Sequence, residues 1–161
     1  YERQGETMRD VVFEWYVTHA LSQKERLMKA VCVSAAIVFF IDAVFFMAVM
    51  LIPAAAFGIA GFFLSRSLKY EYEFVYVNGD FTISKILHKS RRKDVLHMNR
   101  TDFEEILPGR AEAGRLPVKD FTSGLPGQPV YTIRAKGMLI FIEAEEDFIK
   151  EMKKYYPIAD R

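Results

Sequence analysis

Residues 30–64 read AVCVSAAIVFFIDAVFFMAVMLIPAAAFGIAGFFL, and the fold turns on how that stretch is read. Its only charged residue is Asp42. One transmembrane helix needs about 20 apolar residues to cross ~30 Å of hydrocarbon. Taken as a single helix, this run would be roughly 52 Å long at 1.5 Å per residue. Tilt does not absorb such an excess. Two short spans joined by a tight turn fit better, with the turn between Asp42 and Pro53. Pro53 suits the first turn of the second helix, where a missing N–H costs nothing. Ser22-Gln23-Lys24-Glu25 has capping-box spacing and marks the start of the first.

The flanking charges agree. Lys24, Arg26 and Lys29 precede the run; Arg66 and Lys69 follow it, then Lys85, Lys89, Arg91, Arg92 and Lys93. Basic residues beside membrane spans stay in the cytoplasm. One span would export one of the two clusters, whereas a hairpin keeps both inside, with both termini cytoplasmic. The run is too long and starts too late for a cleaved signal peptide. Small residues at fourfold spacing, Ala30 with Ser34 and Ala54 with Gly58, extended by Gly61, offer a face along which two helices approach closely. Asp42 is the one intramembrane candidate for a proton or ion site. It has no second ionisable residue in the run, so the simpler reading places it near the turn, in reach of water.

After Lys69 the periodicity changes. Tyr70, Tyr72, Phe74 and Tyr76 alternate with Glu71, Glu73, Val75 and Val77, a strand pattern. Asn78-Gly79 is a strong hairpin turn, and 81–87 is the returning strand. The basic stretch HKSRRK at 88–93 reads as the next turn, 95–98 as a third strand and 102–107 as a fourth. Residues 108–129 have loop composition, with four prolines and four glycines and at most one short strand near 118–122. Residues 131–135 and 138–142 flank Lys136-Gly137 as a second hairpin. Residues 145–156 form an amphipathic helix with Phe148, Ile149, Met152, Tyr155 and Tyr156 on one stripe, acids at its start and lysines later. Such a helix closes the open end of a small curved sheet. Ahead of the membrane run, DVVFEWYV at 10–17 brings Trp15 and Tyr16 either to the headgroup level or onto the soluble domain.

The expected class is therefore an α+β membrane protein. It has a juxtamembrane segment at 1–26, a transmembrane hairpin at 27–68, and a cytoplasmic antiparallel β domain with a closing helix at 69–161. The stretch KYEYEFVYVNGDFTISKILHKSRRKDVLHM after a two-helix hairpin resembles the bacterial pleckstrin-homology-like (PH-like) membrane proteins. More narrowly, EYEFVYVNGDFTISKI and the closing IFIEAEEDFIKEMKKYYP resemble an uncharacterised family of small Firmicutes membrane proteins, over residues 11–158. The resemblance implies a PH-like sheet or barrel capped by a helix, and no activity.

Composition limits function. Lys plus Arg number 22 against 21 Asp plus Glu, which argues against a nucleic-acid-binding surface. Cys32 is the only cysteine, so no intramolecular disulfide forms. His19, His88 and His97 share no metal-ligand spacing. Ser84, Ser90 and Ser123 lack a nucleophile motif, and the loop glycines lack the phosphate-loop pattern. Glu104 and Glu105 would point to opposite faces of a strand. No enzyme, cofactor or metal site is expected. The remaining candidates are Lys89, Arg91, Arg92 and Lys93 against anionic lipid headgroups, each cation contributing on the order of 1 kcal/mol near such a surface. The alternative to a solvated turn is thus a membrane-anchored, non-enzymatic module that contacts inner-leaflet lipid or a partner protein. Another reading makes the hairpin itself the active part, within a transport or envelope complex, through Asp42 and the small-residue face against a partner membrane protein.

Overall fold

The computed structural model describes residues 11–154. Strand β1 (Val12–Thr18) comes first, followed by helices α1 (Gln23–Phe45) and α2 (Leu51–Ser67). Strands β2 (Tyr70–Val77), β3 (Asp80–Leu87), β4 (Arg91–Met98), β5 (Phe103–Pro108), β6 (Val118–Asp120), β7 (Val130–Ala135) and β8 (Met138–Glu143) follow, and helix α3 (Glu146–Lys153) ends the described chain.

Helix α1, and α2 together with the turn that precedes it (Ala48–Ser67), are long and apolar enough to cross a membrane, and few of their residues are buried. Ser22 caps α1 in a closed capping box: its Oγ accepts from Glu25 N–H, and the Glu25 carboxylate accepts from Ser22 N–H at 2.8 Å. The connection falls inside the expected interval. Phe46 and Met47 donate back to the Asp42 carbonyl, and a 3-10 turn at Ala48–Met50 leads into α2. Pro53 lies in the first turn of α2. The contact face matches the expected one on α2 at Ala54 and Gly61, and differs at Gly58 and on α1. Gly61 approaches α1 so closely that an added Cβ would lie 3.4 Å from Cys32 Cβ, and Ala43 and Ala54 are buried. Phe39 stacks on Phe57. Ala30 and Ser34 are exposed, and nothing lies near a Cβ added at Gly58. Fourfold spacing marks one stripe of a helix without saying which stripe meets the partner, and on α1 the crossing uses Cys32 and Ala43 in place of Ala30 and Ser34.

The helical hairpin is an insertion in a β-hairpin. Strand β1 pairs antiparallel with β2 along its whole length, from Val12 opposite Val77 to Thr18 opposite Glu71. His19 N–H continues the ladder onto Tyr70 O at 3.1 Å. The β domain is therefore not confined to residues 69–161: the segment before the helices is its first strand. Trp15 belongs to the sheet and not to a headgroup layer. Its indole stacks on Phe74 at 5.0 Å, and its Nε1 donates to Glu143 O at 2.7 Å. Tyr16, one residue on, points outward, as strand alternation requires.

The first sheet runs β1-β2-β3-β4, all antiparallel, and the second runs β5-β7-β8-β6. Asn78 and Gly79, at φ of 49° and 106°, make the tight turn between β2 and β3, in which both central residues need positive φ. Lys136-Gly137 does the same between β7 and β8. One element departs from the expected antiparallel pattern: β6 runs parallel to β8. The proline- and glycine-bearing segment 109–117 carries the chain from one edge of the second sheet to the other, and such a crossover returns a strand parallel. The two sheets enclose Phe74, Phe81, Ile83, Met98, Ile106, Ile133, Ile140 and Ile142, and α3 closes the core with Phe148, Ile149 and Met152. The Phe148 ring meets Phe13, Trp15, Tyr76 and Phe81. Tyr155 and Tyr156 lie outside the described residues.

Candidate functional site

Register decides which side chains gather where the helices leave the sheet. Tyr70 opens β2 after a two-residue link from α2; it pairs with Leu87, which pairs with Arg91. The β3–β4 turn therefore stands beside the base of the helical hairpin. Ser90 N–H closes that turn on Leu87 O, with His88 and Lys89 in the left-handed region. Only 88–90 form the turn. Arg91, Arg92 and Lys93, read from sequence as loop, are paired strand residues opposite Leu87, Ile86 and Lys85. Three successive cations are poor strand formers, but β3 extends far enough to pair with them.

Alternation separates the basic residues. Arg92 points to the outer face and is held there by Glu73, a carboxylate buried in the sheet surface. Tyr16 donates to Glu14 at 2.6 Å and also lies against Glu73, and both contacts push its phenol well above the ordinary range. Arg91 and Lys93 point the other way, on the side of Tyr70, Tyr72 and Lys85. Lys89, Arg91 and Lys93 are exposed, and among the described residues none has an ion-pair partner. Lys85 Nζ lies 3.8 Å from the centre of the Tyr70 ring, a cation–π contact. The sequence grouped these cations together; the structure removes Arg92 from the group and adds Lys85.

Tyr70 anchors a ring ladder. His19 stacks on it at 4.4 Å, Tyr72 meets it edge-on, and Phe121 meets Tyr72 at 5.1 Å. Burial pushes the Tyr70 hydroxyl up beyond the ordinary phenol range. His19 Nε2 reaches the Glu25 carboxylate at 3.0 Å, so the first turn of α1 is tied to the start of β2. No sequence spacing announced His19 or Tyr70, because their meeting depends on β1 preceding the hairpin. Two open clefts flank this wall. One of about 460 Å³ is lined by Leu21, Leu68, Lys69, Tyr70, His88 and Lys89 among others. The other, of about 550 Å³, runs between the first turn of α1 and the 122–126 loop and includes Arg26, Tyr72, Asp120 and Leu125.

The long loop is ordered by named bonds. Arg110 bridges Asp120 at 2.7 Å and Thr122 at 2.8 Å. Burial opposes ionisation of Asp120, but hydrogen bonds from Thr122 and Arg110 bring its carboxyl below the usual range. Ser123 donates through both N and Oγ to the buried Glu143 carboxylate, and its carbonyl accepts from Ala20 N–H at 2.9 Å. This last bond closes the sheet pair on the side of β1.

Asp42 stands apart from all of this, in the last turn of α1 and half-buried; among the described residues its carboxylate has no ion-pair partner. Among the described residues no cluster of three or more His, Cys, Asp or Glu side chains is placed to hold a metal ion. The Ser123 hydroxyl donates to the Glu143 carboxylate.

No curated protein and no solved structure gives a significant match to this chain. One family model covers nearly all of it, residues 9–159, and that span takes in β1, the helical hairpin, both sheets and α3 as one unit. Its description names a fold and no activity. The chain belongs to the bacterial PH-like domain family (DUF6106).

Proposed function

We propose that this protein is a membrane-anchored, non-enzymatic interaction module, with α1 and α2 in the bilayer and the PH-like domain resting on the inner leaflet. The observation that carries the reading is the β1–β2 pairing across the helical hairpin. Strands paired as neighbours lie about 5 Å apart, so both helix ends leave the bilayer on the same face. Only four residues separate β1 from α1, and only two separate α2 from β2. The basic end of the sheet is therefore held at headgroup level, and Lys69, Lys85, Lys89, Arg91 and Lys93 face anionic lipid or an acidic segment of a partner. The exposed cations give a surface attraction of on the order of 1 kcal/mol each, screened within about 10 Å at 0.1 M salt. Beside the clefts His19 is paired with Glu25, and Asp120 with Arg110 and Thr122, while Lys89 has no ion-pair partner among the described residues, which supports surface contact.

The test is detergent-solubilised protein reconstituted in nanodiscs of neutral or anionic lipid, with the mobility of the β3–β4 turn read by a spin label at Ser90. In anionic discs the label should be immobilised, and K89E with R91E and K93E should release it. Reversal of Arg92 alone should do less, because that side chain is held by Glu73. Equal mobility in both lipids would remove lipid contact and leave a partner protein as the target. A second reading makes the hairpin the contact surface. A shallow apolar groove of about 410 Å³ lined by Ala36, Ile37, Phe40, Leu51, Ala54 and Ala55 favours it. There Asp42→Asn should alter crosslinking to a neighbouring membrane protein more than any change in the sheet does.

A further inference from the structure

We propose that the loop 123–126 is a second membrane contact, with Leu125 inserted among the lipid headgroups and upper acyl chains on the side of the hairpin away from the basic turn. This rests on the reading that α1 and α2 lie in the bilayer. Three observations fix the loop's height. Its first residue accepts a hydrogen bond from Ala20, three residues before α1 begins. Gly124, Leu125 and Pro126 wall the same cleft as Ser22, Gln23 and Arg26, so the loop stands level with the first turn of α1. The loop is held there by Ser123, whose N–H and hydroxyl both donate to the buried Glu143 carboxylate.

At that height Leu125 is 49 % exposed. It lines the same cleft as Leu21 and Arg26, at the first turn of α1. An apolar tip beside a cation, at the level where a helix enters lipid, matches the chemistry of the bilayer interface. A rigid base, a turn of positive φ at Gly124 and Gly127, and a leucine between two residues without long side chains make a wedge that needs no further ordering. With the basic turn opposite, the hairpin base is flanked on two sides, and the domain cannot tilt freely about the helices. The far end of the sheet, at Asn78-Gly79 and Lys136-Gly137, then points away from the membrane.

The experiment uses the full chain with Cys32→Ala, reconstituted in vesicles of phosphatidylglycerol and phosphatidylethanolamine. Single nitroxide labels are placed at Ile37→Cys in α1, Leu125→Cys in the loop and Glu104→Cys at the far end of β5. Collision with oxygen is compared with collision with a water-soluble nickel chelate. The expected result is oxygen preference at 37 and 125 and nickel preference at 104. Oxygen preference at 37 with nickel preference at 125 would overturn this inference alone. Nickel preference at both 37 and 125 would overturn the membrane reading together with it.

Discussion

Excising the helical hairpin should leave a folded, soluble domain, whereas starting the chain at residue 69 should not. The two polypeptides differ mainly in β1. In the first, Ala20 is joined to Lys69 through Asn-Gly, a two-residue link that suits the His19–Tyr70 ladder end. In the second, β1 is gone. The loss can be sized from the packing. Trp15 stacks on Phe74 and touches Phe81 and Phe148, Phe13 meets Tyr76 and Phe148, and Val17 is buried. Removing a buried Phe or Trp costs about 3–5 kcal/mol each. Phe13 and Trp15 are half-buried, so the two together, without Val17 or the lost ladder, cost at most roughly 6–10 kcal/mol, against about 5–15 kcal/mol for a whole domain. The Glu143 carbonyl also loses its indole donor. The assay is near-UV circular dichroism and thermal unfolding of both. The joined polypeptide should unfold cooperatively, with a fixed tryptophan signature. The 69–161 polypeptide should be unfolded or aggregated, and recovery of a cooperative transition on adding a peptide of residues 9–21 would strengthen the case. A 69–161 polypeptide as stable as the joined one would refute the reasoning, since β1 would then be an accessory and not a wall of the core.

Two further outcomes can be read on the same joined domain. Gly79→Ala should destabilise by about 1–3 kcal/mol, because φ of 106° is closed to a side chain and the new Cβ would lie 3.1 Å from Arg100 Cβ; chemical denaturation measures it. Asp102 accepts from Asn99 N–H and lies 3.2 Å from Lys136, and these hold its carboxyl below the ordinary Asp range. A depressed carboxyl stabilises the fold above the ordinary Asp value and loses that contribution as pH falls through its own lower value. Asp102→Ala should therefore lower the melting temperature at pH 7, and the gap should narrow in acid below about pH 3.9; a gap independent of pH would assign the effect to packing.

Much of the fold was legible because its signals are local. The length of the apolar run, the Ser22 capping box, Asn78-Gly79, Lys136-Gly137 and the Phe148, Ile149 and Met152 part of the α3 stripe each act within a few residues, and each appears where the sequence placed it. What was missed depends on distant pairing. DVVFEWYV at 10–17 alternates like a strand, but nothing within it says that its partner lies beyond two helices. Arg91, Arg92 and Lys93 read as loop because their strand state comes from Ile86 and Leu87 across the ladder. The parallel setting of β6 follows from a crossover that composition shows only as prolines and glycines. For the site, the sequence identified the basic cluster but not its geometry. The capture of Arg92 by Glu73, the Lys85–Tyr70 contact and the His19 stack all depend on register, which alternation fixes only after the pairing is known.

The proposed topology rests on two neighbouring strands with a pair of helices between them, the helices lying in lipid. The most direct measurement is impermeant thiol labelling of single cysteines at Glu14, Phe46 and Glu145 in a Cys32→Ala background, in vesicles of known orientation. The account predicts that Glu14 and Glu145 label from the cytoplasmic face and Phe46 from the opposite one. Glu14 and Glu145 labelling from opposite faces, or recovery of the whole chain in a detergent-free high-speed supernatant, would contradict it.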